Sequence, residues 1–240
     1  MRAVRGRLTA LLTALSALLV GSALPGAAPA TAAGPAEIEA FITQVYDHLL
    51  QRAPDPAGLQ GWSEALQQGT PYGAVALGIT SSDEYRSILV TETYQTYLGR
   101  EPEPIGAAAW LAAMRAGVTV QTIEGGFIAS DEYYARAGGT DASWVRELYR
   151  DVLAREAVDH EVATWTDTLV AGATRTQVAA GLLLSTEHLL EVVDRYYRLL
   201  LDRSADPDGL HAWVVAIQSG TRVEAVIAGI VASEEYRAAP

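Results

Sequence analysis

The chain has 240 residues, half of them hydrophobic, with no cysteine and a formal charge of −12. That length can bury one substantial core or two modest ones. The missing cysteine excludes disulfides, a lipobox and thiol chemistry, and the negative field argues against nucleic acid as a partner.

Arg2, Arg5 and Arg7 precede an apolar run from Leu8 to Val20 and a Pro/Ala/Gly stretch ending in Ala30-Thr31-Ala32. This is the layout of a secretory signal peptide, expected over residues 1–33 with cleavage near Ala32 or Ala33. The apolar run falls short of the roughly 20 residues that cross a bilayer, so no membrane span is expected once the leader is removed. The chain is therefore expected to be secreted or held at the cell surface. Losing three arginines and no acid deepens its negative charge. Every basic side chain is arginine, and lysine and asparagine do not occur, which with the abundant alanine and glycine reads as a GC-rich bacterial genome. Without disulfides, an exported chain rests on its core alone.

Glu37 to Gln51 predicts an amphipathic helix with Ile38, Phe41, Ile42, Val45 and Leu49 on one stripe. Arg52 is expected in its last turn, against the negative end of the helix dipole. Asp55-Pro56 signals an N-cap followed by proline at the first helical position. The second helix carries Leu59, Trp62 and Leu66 on one face and stops at Gly69. Thr70-Pro71 repeats the start signal for a short third helix containing Val75, Gly78 and Ile79. Ser82 then caps a fourth helix, with Asp83 and Glu84 in its first turn, running through Tyr94 towards Arg100.

The same residues return three more times in order. Tyr46 matches Tyr94, Tyr149 and Tyr197; Arg52 matches Arg100, Arg155 and Arg203; Trp62 matches Trp110, Trp165 and Trp213. Gly78 matches Gly126, Gly181 and Gly229, and Ser82 matches Ser130, Ser185 and Ser233. A fixed-period repeat of this kind predicts an all-α fold of four tandem units, neighbours sharing a long helix. Copies one and two are 48 positions apart (Tyr46 and Tyr94), as are copies three and four, but 55 separate copies two and three (Tyr94 and Tyr149). The excess holds Gly138-Gly139-Thr140-Asp141, so residues 138–141 are expected to join two helical lobes, residues 36–137 and 141–238.

The run Arg52-Ala53-Pro54-Asp55-Pro56-Ala57-Gly58, then Trp62, Gly69 and Ser82-Asp83-Glu84-Tyr85, resembles the bacterial domain-of-unknown-function family 4214 over nearly all of the mature chain. Asp206-Pro207-Asp208-Gly209 reproduces the loop in copy four. Copy two has Glu103-Pro104-Ile105-Gly106 there; copy three carries Val158 and Glu161 in place of the Asp and Gly, and His188 in place of the Tyr. The pattern is more distantly similar to the helical linker domains of phycobilisomes, the cyanobacterial light-harvesting assemblies. The resemblance implies an all-helical, non-catalytic module of exported and surface proteins, with no catalytic residue to carry over.

Among candidate sites, Glu84, Glu132, Glu187 and Glu235 are read as helix-start acids rather than paired catalytic carboxylates. The tryptophans invite sugar stacking, but their spacing from leucines makes them structural core, and a glycine inside each third helix is expected to admit a backbone or the Trp ring. Where a loop acid stands three residues on, the repeat arginine is expected to pair with it locally. Asp206 and Asp208 hint weakly at calcium, which the EF-hand order does not support. His160-Glu161 begins like a zinc-protease helix, yet Thr164 stands where the second histidine is required. Copy three, around Asp159, His160 and Glu161, is the expected specialised surface. The leading expectation is an exported scaffold, with no cofactor, that binds an unknown protein or cell-surface component. A small secreted hydrolase and calcium-dependent surface attachment are the alternatives.

Overall fold

The computed structural model describes residues 34–238; the expected signal peptide lies outside them. Fourteen α-helices and no strand are present among the described residues. Copy one comprises α1 (Pro35–Leu50), α2 (Pro56–Gln67) and α3 (Tyr72–Thr80); α4 (Asp83–Leu98) runs unbroken into copy two, which adds α5 (Pro104–Arg115), α6 (Val120–Ile128) and α7 (Asp131–Arg136). Copy three comprises α8 (Asp141–Leu153), α9 (Asp159–Val170) and α10 (Arg175–Leu183); α11 (Thr186–Leu201) leads into copy four with α12 (Pro207–Gln218), α13 (Val223–Val231) and α14 (Glu234–Ala238).

The start signals act as side-chain caps. Ser82, Ser130, Ser185 and Ser233 each accept a hydrogen bond from the backbone N–H three residues on, at 3.1–3.2 Å. Asp55 and Asp206 do the same for Gly58 and Gly209 at 2.9 and 2.8 Å. Thr70 departs from expectation, because Pro71 holds the cap position of α3 and caps nothing. Arg52 departs too. Gln51 is the C-cap of α1 with φ 54°, so the helix has ended and the chain has turned before Arg52. Gly99, Ala154 and Asp202 take the same left-handed conformation after α4, α8 and α11, which is an easy position only for the glycine.

The α1 stripe of Ile38, Phe41, Ile42, Val45 and Leu49 is buried as its period demands. The four repeat tryptophans are not interior, however: each is only half-buried. The interior tryptophan is Trp144 of α8, fully covered, with its Nε1–H donating to the Ile128 carbonyl at 2.8 Å. Trp144 stands at the repeat position of Phe41.

Gly138 and Gly139, at φ 99° and 68°, break the helix that would otherwise join copies two and three. The closest helix pairings run across that junction, α3 with α13 and α6 with α10. One apolar cluster joins Met114, Ile123 and Phe127 of copy two to Trp144, Leu148, Val178 and Leu182 of copy three. Likewise the first copy closes onto the fourth. A Cβ on Gly73 of α3 would meet the Ala228 carbonyl oxygen of α13 at 3.0 Å, so glycine there lets the backbones cross. Since α3 corresponds to α10 and α13 to α6, the two interfaces are versions of one contact, related by a shift of 103 positions (Tyr46 to Tyr149).

Candidate binding grooves

Each repeat arginine is fastened to a glutamate in the next capped helix, 32 positions along. Arg52 Nε and Nη2 donate to the two carboxylate oxygens of Glu84 at 2.5 and 2.7 Å. Arg100 holds Glu132 in the same way at 2.7 and 2.9 Å, Arg155 holds Glu187 at 2.5 and 3.0 Å, and Arg203 holds Glu235 at 2.5 and 2.7 Å. Every one of these guanidinium groups also lies over its repeat tyrosine, 4.9–5.4 Å from the ring centroid of Tyr46, Tyr94, Tyr149 or Tyr197. Hydrogen bonding from the arginine holds all four glutamates below the usual carboxylate range. The glutamates are thus arginine partners as well as helix-start acids, and the local pairs expected at the loop are secondary. Arg52 stands 3.8 Å from Asp55, while Arg100 reaches Glu103 at 2.5 Å.

Copy three keeps this cluster by moving its acid. Val158 offers no side-chain cap, but Glu161, three residues into α9, accepts two bonds from Arg155 at 2.8 and 2.9 Å and one from the Val158 N–H at 3.0 Å. Arg155 thereby holds the Glu161 carboxyl down to about 2. Asp159 is fully exposed, 3.7 Å from Arg146, and His160 is exposed beside it. Asp159, His160 and Glu161 do not converge, because Glu161 is committed to the cluster. Asp206 is committed to its cap and Asp208 is exposed in the first turn of α12. No three His, Asp or Glu side chains stand together as a metal-holding group among the described residues.

The glycine of each third helix lies under a tryptophan. A Cβ on Gly78 would strike Trp62, with Cζ2 only 2.7 Å away; on Gly229 it would meet Trp213 at 2.8 Å, on Gly181 Trp165 at 3.0 Å, and on Gly126 Trp110 at 3.3 Å. The tryptophans therefore fasten the second helix of each copy to the third. Trp165 also donates its Nε1–H to the Tyr149 hydroxyl at 2.9 Å, tying this contact to the arginine cluster.

Two further features carry charge differences that the repeat does not require. Away from the arginine clusters, Glu124 of α6 lies within electrostatic reach of Tyr97 of α4 and of Arg195 and Tyr196 of α11. Burial pushes the Glu124 carboxyl up to about 7, with Arg195 pulling it down. Glu92 of α4 is raised by the same balance. Glu92 and Arg195 occupy equivalent repeat positions, so the two shared helices meet with opposite charges where identical copies would repel.

The second feature is a groove of about 410 Å³ between copies one, two and four, lined by Ser81, Arg86, Arg115, Gly117, Arg222 and Glu224 among others. Arg115 Nε donates to Asp83 at 2.8 Å, and Arg222 donates to Glu224 at 2.8 Å and to the Gly117 carbonyl at 2.9 Å. Arg86 is mostly covered, its side chain 17% exposed, yet its nearest acid, Asp83, is 4.0 Å away. That exceeds hydrogen-bond distance. Shifted by one pair of copies, Ser81 becomes Leu184, Arg86 Leu189, Arg115 Gln218 and Arg222 Thr119. Gln218 donates to the Leu184 carbonyl at 3.0 Å and to Thr186, the counterpart of Asp83, at 3.4 Å. Leu189 is fully buried, and Leu184 and Val215 are exposed at 43% and 47%. One face of the scaffold is cationic, and the equivalent face is neutral and apolar. Sequence reasoning missed both, although aligning the copies reveals the substitutions.

Fold and repeated contacts together define an all-helical repeat protein whose recurring side chains close each copy on itself. The chain belongs to the family described as Domain of unknown function (DUF4214), whose family model matches residues 31–89, 124–192 and 190–239. No curated protein and no solved structure matches it. No described helix is long and apolar enough to cross a membrane.

Proposed function

We propose that this is an exported, non-catalytic scaffold that binds a protein or a cell-surface component through the faces its repeats present differently. The observation that carries this reading is the pair of equivalent faces, Ser81, Arg86, Arg115 and Arg222 on one, Leu184, Gln218 and Thr119 on the other, where Leu189 lies buried beneath. Both sets sit on the same helical frame, so packing does not require the arginines, and recognition is left to account for them. The signal-peptide layout of the sequence over residues 1–33 supports export. The test is affinity capture from the culture surface fraction with the native chain and with a chain carrying Leu184→Arg and Val215→Glu. A partner retained by the first and lost from the second supports the reading; no partner above background with either one overturns it.

The hydrolase reading has one observation in its favour: Glu92 and Glu124, both raised, beside Arg195. Raised carboxyls next to a cation suit general acid chemistry. A hydrolytic activity against ester, peptide or glycoside substrates that disappears in Glu124→Gln would replace the scaffold reading.

A further inference from the structure

We propose that the groove between α4, α5 and the start of α13 binds a single oxyanionic group, a phosphate or a carboxylate, with Arg86 as its principal ligand. This rests on reading that face as a recognition surface and assigns its ligand class. Three arginines line it, in a chain with 29 acidic residues against 17 basic ones. Two of them are occupied, Arg115 by Asp83 and Arg222 by Glu224 and a backbone carbonyl. Arg86 is different. It is mostly covered, carries a fork of five donors, and makes no side-chain hydrogen bond among the described residues, its contact with Asp83 being 4.0 Å long.

The Arg86 stem is covered while its guanidinium nitrogens, with no protein acceptor within hydrogen-bond distance, remain open to the groove, which places the fork for a bidentate oxyanion, since that geometry matches both carboxylate and phosphate. The Ser81 hydroxyl and the remaining Arg222 donors line the same space, which at about 410 Å³ is of small-ligand size. Leucine at the equivalent position, Leu189, shows that the helix packing asks for bulk there and not for charge. The arginine is therefore an addition to the frame, and the addition faces a cavity.

The experiment follows the Arg86 Nε–Hε resonance of the purified full chain during titration with inorganic phosphate, and separately with succinate, at constant ionic strength. Saturable shifts at Arg86, with dissociation constants in the millimolar range, are expected. In Arg86→Leu, which copies the residue at Leu189 and retains the native melting temperature, affinity measured by calorimetry falls at least about tenfold. Arg237→Leu, outside the groove, leaves affinity unchanged. A stronger response to phosphate identifies a phosphate-bearing ligand, and a stronger response to succinate a carboxylate-bearing one. Absence of a saturable shift with either anion, or equal affinity in Arg86→Leu, overturns the proposal. Because no partner is present in this titration, its failure leaves the capture experiment standing, and a failed capture leaves the titration standing.

Discussion

The cationic groove beside α4 and its neutral counterpart beside α11 rest on the same contacts. In both, the residue at the end of the second helix crosses to the start of the shared helix. Arg115 does so by pairing with Asp83, and Gln218 by hydrogen bonding to Thr186 and the Leu184 carbonyl. In both, the position at Arg86 or Leu189 packs into the frame. The difference teaches which part of the repeat is architecture. Bridging and packing are kept in either chemistry, while charge is not. The two shared helices and α6 repeat the lesson, with Glu92 against Arg195 and Glu124 against the buried Ile227 at equivalent positions.

The largest effect is expected where the shared architecture itself is broken. Gly78→Ala drives a methyl into the Trp62 ring; overpacking of this kind costs about 3 kcal/mol, the gain in helix propensity returns about 1, and a net loss of about 2 kcal/mol is expected. Gly126→Ala meets Trp110 at 3.3 Å, and the about 1 kcal/mol gained in helix propensity offsets the crowding, leaving stability near native. Denaturant unfolding checks both. Equal losses at the two sites would mean that the tryptophan contact does not set the cost.

Next comes the arginine cluster. Arg155 serves two carboxylates, Glu161 and Glu187, so Arg155→Leu leaves both facing each other without a cation. Solvent screens this partly exposed site, and a loss of roughly 1 kcal/mol is expected. Arg52→Leu leaves Glu84 and the distant Asp55 and is expected to lower the melting temperature less. A larger loss at Arg52 would show that the moved acid of copy three adds nothing.

The frame was readable in the sequence because backbone rules dictate it. Capping serines, Asp-Pro starts and apolar stripes each act within one turn, so periodicity exposes them. Partnerships between elements were not. Proximity along the chain pairs Arg52 with Asp55, whereas the folded chain pairs each repeat arginine with a glutamate 32 positions on, a constant spacing that is the one mark of this contact in the sequence. Closure of the first copy onto the fourth left no mark except Gly73, a glycine without a repeat counterpart. The grooves are not legible in the repeat pattern, because that pattern consists of what the copies share and the grooves are made from what they do not.

The third effect is one of pH. The Glu124 carboxyl is raised from the ordinary 4.5 to about 7 in the folded chain. Its protonated form is the better buried, so its contribution is complete below pH 4.5 and is lost as pH rises through 7. Between pH 5 and pH 8 the melting temperature of the native chain is expected to fall on this account. Glu124→Gln, neutral throughout, removes that part of the slope. An unchanged slope would mean that Glu124 keeps an ordinary carboxyl.

The smallest effect is the most telling for the comparison. Arg115→Gln installs the residue found at Gln218, and Asp83→Thr installs the one found at Thr186. If bridging alone is what the frame requires, the double variant reproduces the neutral crossing and its melting temperature stays within about 2 °C of native. Neither single variant forms the neutral pair, so each is expected to melt lower than the double. A double variant that melts lower than both would mean that the charged crossing is itself part of the architecture, and the two faces would no longer count as one frame with two chemistries.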